Sequence, residues 1–253
     1  MKYFFLIFLS GFFFQNKGKK LIADGSAQIE IFSDSVRCDN TLLLSCTYPV
    51  ISLSQSSPAG KINLMILQKY INDWCLDEDC TSLEEVFYEV AKQFKDCCNG
   101  HCVYYSGGFK TTYNKNGLLS LLLYTESRRI NWDRITFNLE TGDRVDYQFF
   151  LTEIGEKALI DRIDLFLHDK IQKELKEIRA NGFEEEESLI REIDPDAYHF
   201  TRTWLNTFYF TEEKNVGGVR WHYYNRKLEE LDGGSKYLDV FFSFEELDPY
   251  LKA

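Results

Sequence analysis

Arg134–Leu151, RITFNLETGDRVDYQFFL, sets Ile135, Phe137 and Leu139 on one side of an extended chain and Thr136 and Asn138 on the other. Period-two alternation of this kind reads as a half-buried strand, and Glu140, Thr141 and Gly142 interrupt it as a turn. Val145, Tyr147 and Phe149 then predict a second extended segment. Beyond it, Thr152–Ala180 carries Leu159, Ile163, Phe166, Leu167, Ile171, Leu175 and Ile178 at helical spacing, with charge on the opposite side. The stretch therefore joins a sheet to a long helix that covers it, and none of its residues is an obvious catalyst.

The strand-rich character extends to both sides. Upstream, Val103–Ser127 holds two apolar runs around Asn116 and Gly117, the dipeptide that best favours a two-residue hairpin. Gln28–Phe32 and Leu42–Leu53 read as strands, with Pro49 marking a sheet edge or a bulge because it has no amide to donate. Between these regions lie two helices. One opens at Ser57 and Pro58 and turns Ile62, Met65, Ile66 and Tyr70 to one side; the other is capped by Thr81 and Glu84 and ends near Asp96. Downstream, Asp194–Asp196 marks a loop. TFYFTE, VRWHYYNR and YLDVFFSF then form three aromatic strands joined by turns at Gly217/Gly218 and Gly233/Gly234, and EELDPYL adds a short terminal helical turn.

Strand pair, two helices, strands, one long helix and three more strands is an α+β order, not an alternating βαβ one. The expected fold is an antiparallel sheet with helices packed mainly on one face and one long helix after the central strand. The expected divisions are a leader over 1–27, an N-terminal α+β subdomain over 28–130 with a Cys-rich insert, and a sheet with the long helix over 131–253.

A hydrophobic fraction of 44% over 253 residues is ample for a core, and 21 Phe with 15 Tyr favour sheets. A formal charge of −11 excludes nucleic acid as the natural partner, because that contact is driven by cationic side chains releasing counterions. Lys2 followed by the apolar run Tyr3–Phe14 reads as an export signal too short to span a bilayer, with cleavage near Gln15 or Gln28; an uncleaved anchor is the competing reading. No further membrane span is expected, and the protein is expected in a periplasmic or extracellular space.

Export gives the 7 cysteines a disulfide reading. Cys38 and Cys46 flank a hairpin and suggest a bridge, while Cys75, Cys80, Cys97, Cys98 and Cys102 surround the second helix. The odd count leaves one thiol over. Cys97, Cys98, His101 and Cys102 with Cys75 and Cys80 offer zinc ligands, but their spacings match no zinc motif, so no metal and no cofactor is expected.

A nucleophile elbow is missing from the sequence, and His101, His168, His199 and His222 stand in unrelated contexts, so no catalytic residue is assigned and an enzyme is not expected. Glu184–Glu187 reads as a solvated acidic run that could dock a basic partner. The aromatic strands Phe208–Phe210, Trp221–Tyr224 and Tyr237–Phe242 offer Trp221, Tyr223 and Tyr224 as a candidate stacking surface for a cell-envelope glycan, with core packing as the alternative.

Several short motifs occur in order: TYPVI at Thr47–Ile51, the helix with Ile62 and Asn63, NKNGLLSLLL at Asn114–Leu123, TFNLETGD at Thr136–Asp143, FYFTEE, and SFEEL at Ser243–Leu247. Over Tyr48–Leu251 the chain resembles the paired domains of unknown function that form the extracytoplasmic part of RsiV-type anti-sigma factors. A similar module precedes the catalytic domain of some peptidoglycan deacetylases. The resemblance implies an α+β module outside the cytoplasm and, as in the anti-sigma factors, binding of lysozyme. It departs from the pattern at Glu126–Arg134, ESRRINWDR, where the family often carries a Gly-Gly-Ala-His run, and in the Cys-rich insert. Sigma-factor control and deacetylation are not carried over.

Overall fold

In the computed structural model, the described residues are 25–38, 41–74, 105–126, 130–180, 200–224 and 237–252, with positions 82, 85, 86, 88, 89 and 92 between them. The fold is α+β. Strands β1 (Gln28–Cys38), β2 (Thr41–Ser52), β3 (Tyr105–Lys115), β4 (Leu118–Glu126) and β5 (Ile130–Asn138) form one sheet in that order. Strands β6 (Phe208–Glu213), β7 (Val216–Tyr224) and β8 (Tyr237–Ser243) form a second, antiparallel sheet. The α-helices whose bounds fall among the described residues are α1 (Ser56–Trp74), α2 (Tyr147–Phe150), α3 (Glu153–Ala180) and α4 (Phe244–Leu247).

The first sheet departs from the all-antiparallel expectation at one joint, where β2 pairs with β3 in parallel from Leu44–Tyr105 to Cys46–Gly107. Short hairpin links force antiparallel neighbours, whereas the chain between β2 and β3 passes through α1 and is long enough to return in the same direction. That pairing stops before Pro49, which is bonded only to β1, opposite Ile31, so its missing amide is tolerated. The irregularity in the β1–β2 ladder lies instead beside Val36 and Arg37.

Two compact units comprise Met1–Phe109 with Tyr124–Asn131, and Lys110–Leu123 with Trp132–Ala253. A single boundary at residue 130 therefore misplaces Lys110–Leu123. The tip of the β3–β4 hairpin belongs to the second unit because Tyr113 and Leu118 pack into that unit's core. Asn116 and Gly117, both at positive φ, make this tip the tight turn that the sequence predicts.

In the first unit, α1 buries Ile62, Ile66, Tyr70, Ile71 and Trp74, while Met65 is half-buried. Asn63 ties the helix to β2: the Ile51 amide donates to its Oδ1 at 2.7 Å and its Nδ2 donates to the Ile51 carbonyl at 2.9 Å. The glycines of β3 admit aromatic rings. A Cβ on Gly107 would lie 2.3 Å from Trp74 and one on Gly108 would lie 2.6 Å from Tyr124. The Tyr70 hydroxyl donates to the Gly108 carbonyl at 2.9 Å. The second expected helix is helical at positions 85, 86, 88, 89 and 92, where the Ser82 hydroxyl accepts from the Glu85 amide at 3.2 Å; Thr81 and Glu84 lie outside the described residues.

In the second unit, Ile135 and Phe137 of β5 and the following Leu139 are buried as expected, and so is Thr136 on the opposite side. Thr136 is bonded through its hydroxyl to the Ser120 hydroxyl, which also accepts from the Phe210 amide at 3.0 Å. The turn is held by Asn138, whose Oδ1 accepts from the amides of Glu140 and Thr141, and by Gly142 in the left-handed region. After a bridge between Phe137 and Arg144, the chain does not continue extended as the alternation suggests. Asp146 accepts from the Phe149 amide at 3.0 Å and starts α2, which leaves Phe149 exposed. The long helix α3 opens where the Thr152 hydroxyl accepts from the Gly155 amide at 3.0 Å. It buries Leu159, Ile163 and Leu167, but Phe166 is exposed.

Candidate functional site

The three-stranded sheet of the second unit has two unlike faces, set by the alternating side chains of β7. Val219, Trp221 and Tyr223 point into a core shared with Phe208, Phe210, Val240, Phe242 and Leu205. Trp221 is fully buried, its Nε1 donates to the Leu205 carbonyl at 3.1 Å, and rings of Phe208, Phe150 and Phe242 surround it. Tyr223 is buried against Phe200 and Trp204. Neither can present a face to a sugar, so the stacking surface expected from Trp221 and Tyr223 is corrected to core; the Tyr224 side chain lies outside the described residues. Burying a tryptophan face yields more free energy than an exposed platform would, and the alternation had already divided the rings between the two sides.

The other face carries charge. Arg220 donates to Glu213 through Nε at 3.0 Å and to Asp239 through Nη1 at 3.2 Å. The second oxygen of Asp239 is 2.6 Å from His222 Nδ1. Tyr209 and Phe241 flank Arg220 on the neighbouring strands. Burial alone would push the Asp239 carboxyl up, but the His222 bond and the charges of His222, Arg220 and Arg134 outweigh it and hold the group below its ordinary value. Burial, and after it the charge of Asp239, pushes the Tyr209 phenol up.

Glu213, Arg220, Asp239 and His222 form one bonded chain across three strands, in which the Arg220 guanidinium lies between two carboxylates. Such a ladder fixes register and orients His222. Among the described residues, no group of three or more His, Cys, Asp or Glu is arranged to hold a metal. The sequence missed this ladder because its register depends on the β6–β7 turn. That turn sits at Lys214 and Asn215, both at positive φ, and not at Gly217 and Gly218, which lie within β7. There the two glycines make room, since a Cβ on Gly217 would meet the Phe244 ring at 2.8 Å and one on Gly218 the Phe242 carbonyl at 2.2 Å.

Further ion pairs in the second unit join Lys115 to Glu212, Arg162 to Glu246, and Arg202 to Glu156. Glu246 also accepts from the Ser243 amide and hydroxyl, completing a capping box at the start of α4; the Ser243 amide bond is the main cause holding its carboxyl below the ordinary value.

Cys46 is a free, buried thiol. Its cross-strand neighbour is Asp34, whereas Cys38 pairs with Thr41, five residues from Cys46. At about 3.3 Å per residue that separation is roughly 17 Å, beyond the ~7 Å that a disulfide spans between Cα atoms, so the expected Cys38–Cys46 bridge is not formed. Cys75, Cys80, Cys97, Cys98, Cys102, His101 and His199, with Glu184–Glu187, Gly233/Gly234 and the leader up to residue 24, lie outside the described residues. His168 is exposed on α3.

No protein-family model matches the sequence, and no curated protein matches it. Among solved structures, the chain is similar to a DUF3298 family member from Bacteroides fragilis, with a TM-score of 0.54 and 11% identity over 90% of this chain and 96% of that one. A DUF3298 family protein from Pseudomonas aeruginosa is matched with a TM-score of 0.44 and 13% identity over 89% of this chain and 93% of that one. The first is a likeness of fold.

Proposed function

We propose that the chain is an exported, non-catalytic binding module whose second unit docks a basic protein of the lysozyme type at the cell envelope. The observation that carries this reading is where the charge lies. Lys110–Leu123 with Trp132–Ala253 holds 27 of the 40 acidic and 18 of the 29 basic side chains, which is −9 of the formal −11. Within that unit Arg220, Arg162 and Lys115 each face an acid, and one-to-one pairs of this kind leave the acidic surplus unchanged. Much of the surplus is in the stretches 181–199 and 225–236, which together hold 10 acids and 4 bases. A field of one sign steers an oppositely charged partner and speeds its encounter, and salt screens it.

Titration calorimetry and surface-immobilised kinetics with lysozyme test the reading. Binding is expected at low ionic strength, weakening steadily as salt approaches ~0.3 M, where the screening length is only several ångströms. Replacing Glu184–Glu187 with Gln is expected to slow association severalfold with little change in dissociation. Lack of binding at low salt, or equal binding of unrelated cationic proteins, would overturn it.

A further inference from the structure

Strand β1 is an edge of the five-stranded sheet. Its ladder joins it to β2 from Gln28–Ser52 to Cys38–Thr41, and no strand pairs with its other side among the described residues. Two features show which groups face that open side. Ile31 stands opposite Pro49, which has no amide to donate, and the Ser35 amide donates to the carboxylate of its neighbour Asp34 at 2.7 Å. Main-chain groups of alternate residues point the same way in an antiparallel ladder, so Ile29, Ile31, Ser33 and Ser35 present theirs to the open side, while Glu30, Phe32 and Asp34 turn theirs to β2. From Glu30 to Ser35 the strand is exposed on both faces, with Ile31 66% and Phe32 37% exposed. The Phe32 ring lies 5.9 Å from that of Tyr48 on β2. Glu30 and Asp34 flank Phe32 on the same face, about 13 Å apart at about 3.3 Å per residue. The other face carries Ile31 and Ser33, whose hydroxyl is bonded to that of Thr47. Sheet edges are ordinarily closed by lysine, proline or a bulge, and β1 has none of these before the irregularity beside Val36 and Arg37.

We propose that this edge takes up an extended cationic peptide as an added antiparallel strand, and that it selects the pattern basic, any, apolar, apolar, basic. The main-chain bonds to Ile29, Ile31 and Ser33 hold such a strand whatever its sequence, and the side chains beside it choose among sequences. In the antiparallel sense, the slightly more stable of the two, the first residue of the pattern lies opposite Asp34 and the fifth opposite Glu30. The third then lies beside Phe32, and the fourth covers Ile31. Opposite charges facing each other across neighbouring strands stabilise the pairing, and like charges oppose it. That rule also decides against a second copy of β1 as the occupant, since it would bring the same two carboxylates and, between Ile29 and Ser35, no cation to answer them. The site lies in the first unit and is read by backbone register, so it does not depend on docking of a basic protein by the second.

Titration calorimetry of the full chain with a capped nonapeptide centred on Lys-Thr-Leu-Val-Lys tests the proposal, and saturable one-to-one binding is expected. N-methylation of the peptide valine, whose amide points at Ile31, lowers affinity at least about tenfold, whereas N-methylation of the leucine, whose amide points away, changes it less than about twofold. Ile31→Pro also lowers affinity at least about tenfold, because it removes a donor from the open side. It leaves far-UV dichroism and the melting temperature unchanged, since an edge strand accepts proline where the nitrogen faces solvent. Glu30→Lys weakens binding of this peptide severalfold and moves the preference to Lys-Thr-Leu-Val-Glu. Lysozyme binding is expected to be equal in Ile31→Pro and wild-type chains, which keeps the two docking readings separable. Absence of saturable binding overturns the proposal, as do equal losses from the two N-methylated peptides or indifference to Ile31→Pro. Self-association of the chain that Ile31→Pro abolishes would assign the edge to a second copy and overturn it too.

Discussion

Trp221 separates two views of the aromatic strands. As a ligand platform it would be exposed and replaceable at the expense of binding alone; instead it lies fully buried among Phe208, Phe150 and Phe242 with its indole nitrogen bonded to Leu205. Trp221→Ala is therefore expected to lower stability by about 3–5 kcal/mol through lost burial and the cavity left behind, read as a fall in the urea midpoint. The same strand shows how far sequence reaches. Alternation assigned half the rings to the core correctly, but it could not say which half, because a one-residue slip exchanges the faces and only the Lys214–Asn215 turn fixes the register. Asp239, on the other face, carries a pH prediction. Its folded carboxyl titrates below the unfolded one, so its stabilisation is complete above about pH 4 and is lost as pH falls through the folded value. Melting curves between about pH 2.5 and 5 are expected to be flatter for Asp239→Asn than for the wild-type chain, and equal slopes would show that the ladder contributes nothing there.

At the scale of elements, the motifs of the family resemblance turn out to be joints. Asn63 fastens α1 to the end of β2, Asn138 and Gly142 close the turn after β5, Ser120 bonds β5 and β6, and Ser243 with Glu246 caps α4. Each joint satisfies backbone or hydroxyl groups where elements meet or end, buried or part-buried at Ser120 and Asn63 and exposed at Asn138 and Ser243, and this is why short polar motifs were legible as fold signals while saying nothing of a ligand. Glycines separate joints from open positions in the same way. Gly218 has the Phe242 carbonyl where a Cβ would go, whereas Gly60 in α1 has nothing within 4 Å. Gly218→Ala is expected to part β7 from β8 and cost more than about 2 kcal/mol, with loss of the cooperative thermal transition as the extreme result. Gly60→Ala should stabilise by roughly 0.5–1 kcal/mol through the entropy of the unfolded chain and better helix propensity. A melting temperature that moves the same way in both variants would contradict this contrast.

For the molecule as a whole, the buried thiol of Cys46 bears on the compartment in which the chain folds. Burial, and after it the charge of Asp34, pushes this thiol far above its ordinary range, so it is held as an unreactive thiol inside the first unit. The sequence holds 7 cysteines, and an oxidising compartment would leave one unpaired; Cys46, out of reach of Cys38 and enclosed among Tyr70, Leu44 and β3, is that one. Cys38 and the five cysteines between 75 and 102 then make an even set of six available for three bridges. Protein prepared from an oxidising compartment and titrated without reductant is expected to show no reactive thiol while native and one per chain in denaturant. Seven in denaturant would mean that the chain resides among reductants, and the export reading would fall with the bridges. The Cys46 thiol also reports on the fold, because its rate of modification under native conditions follows the opening of the first unit around β2 and α1. Asn63→Ala, which releases both backbone groups of Ile51, is expected to raise that rate by about an order of magnitude, the equivalent of roughly 1.4 kcal/mol in the opening equilibrium. An unchanged rate would place the stability of β2 in its ladder with β1 and not in its latch to the helix.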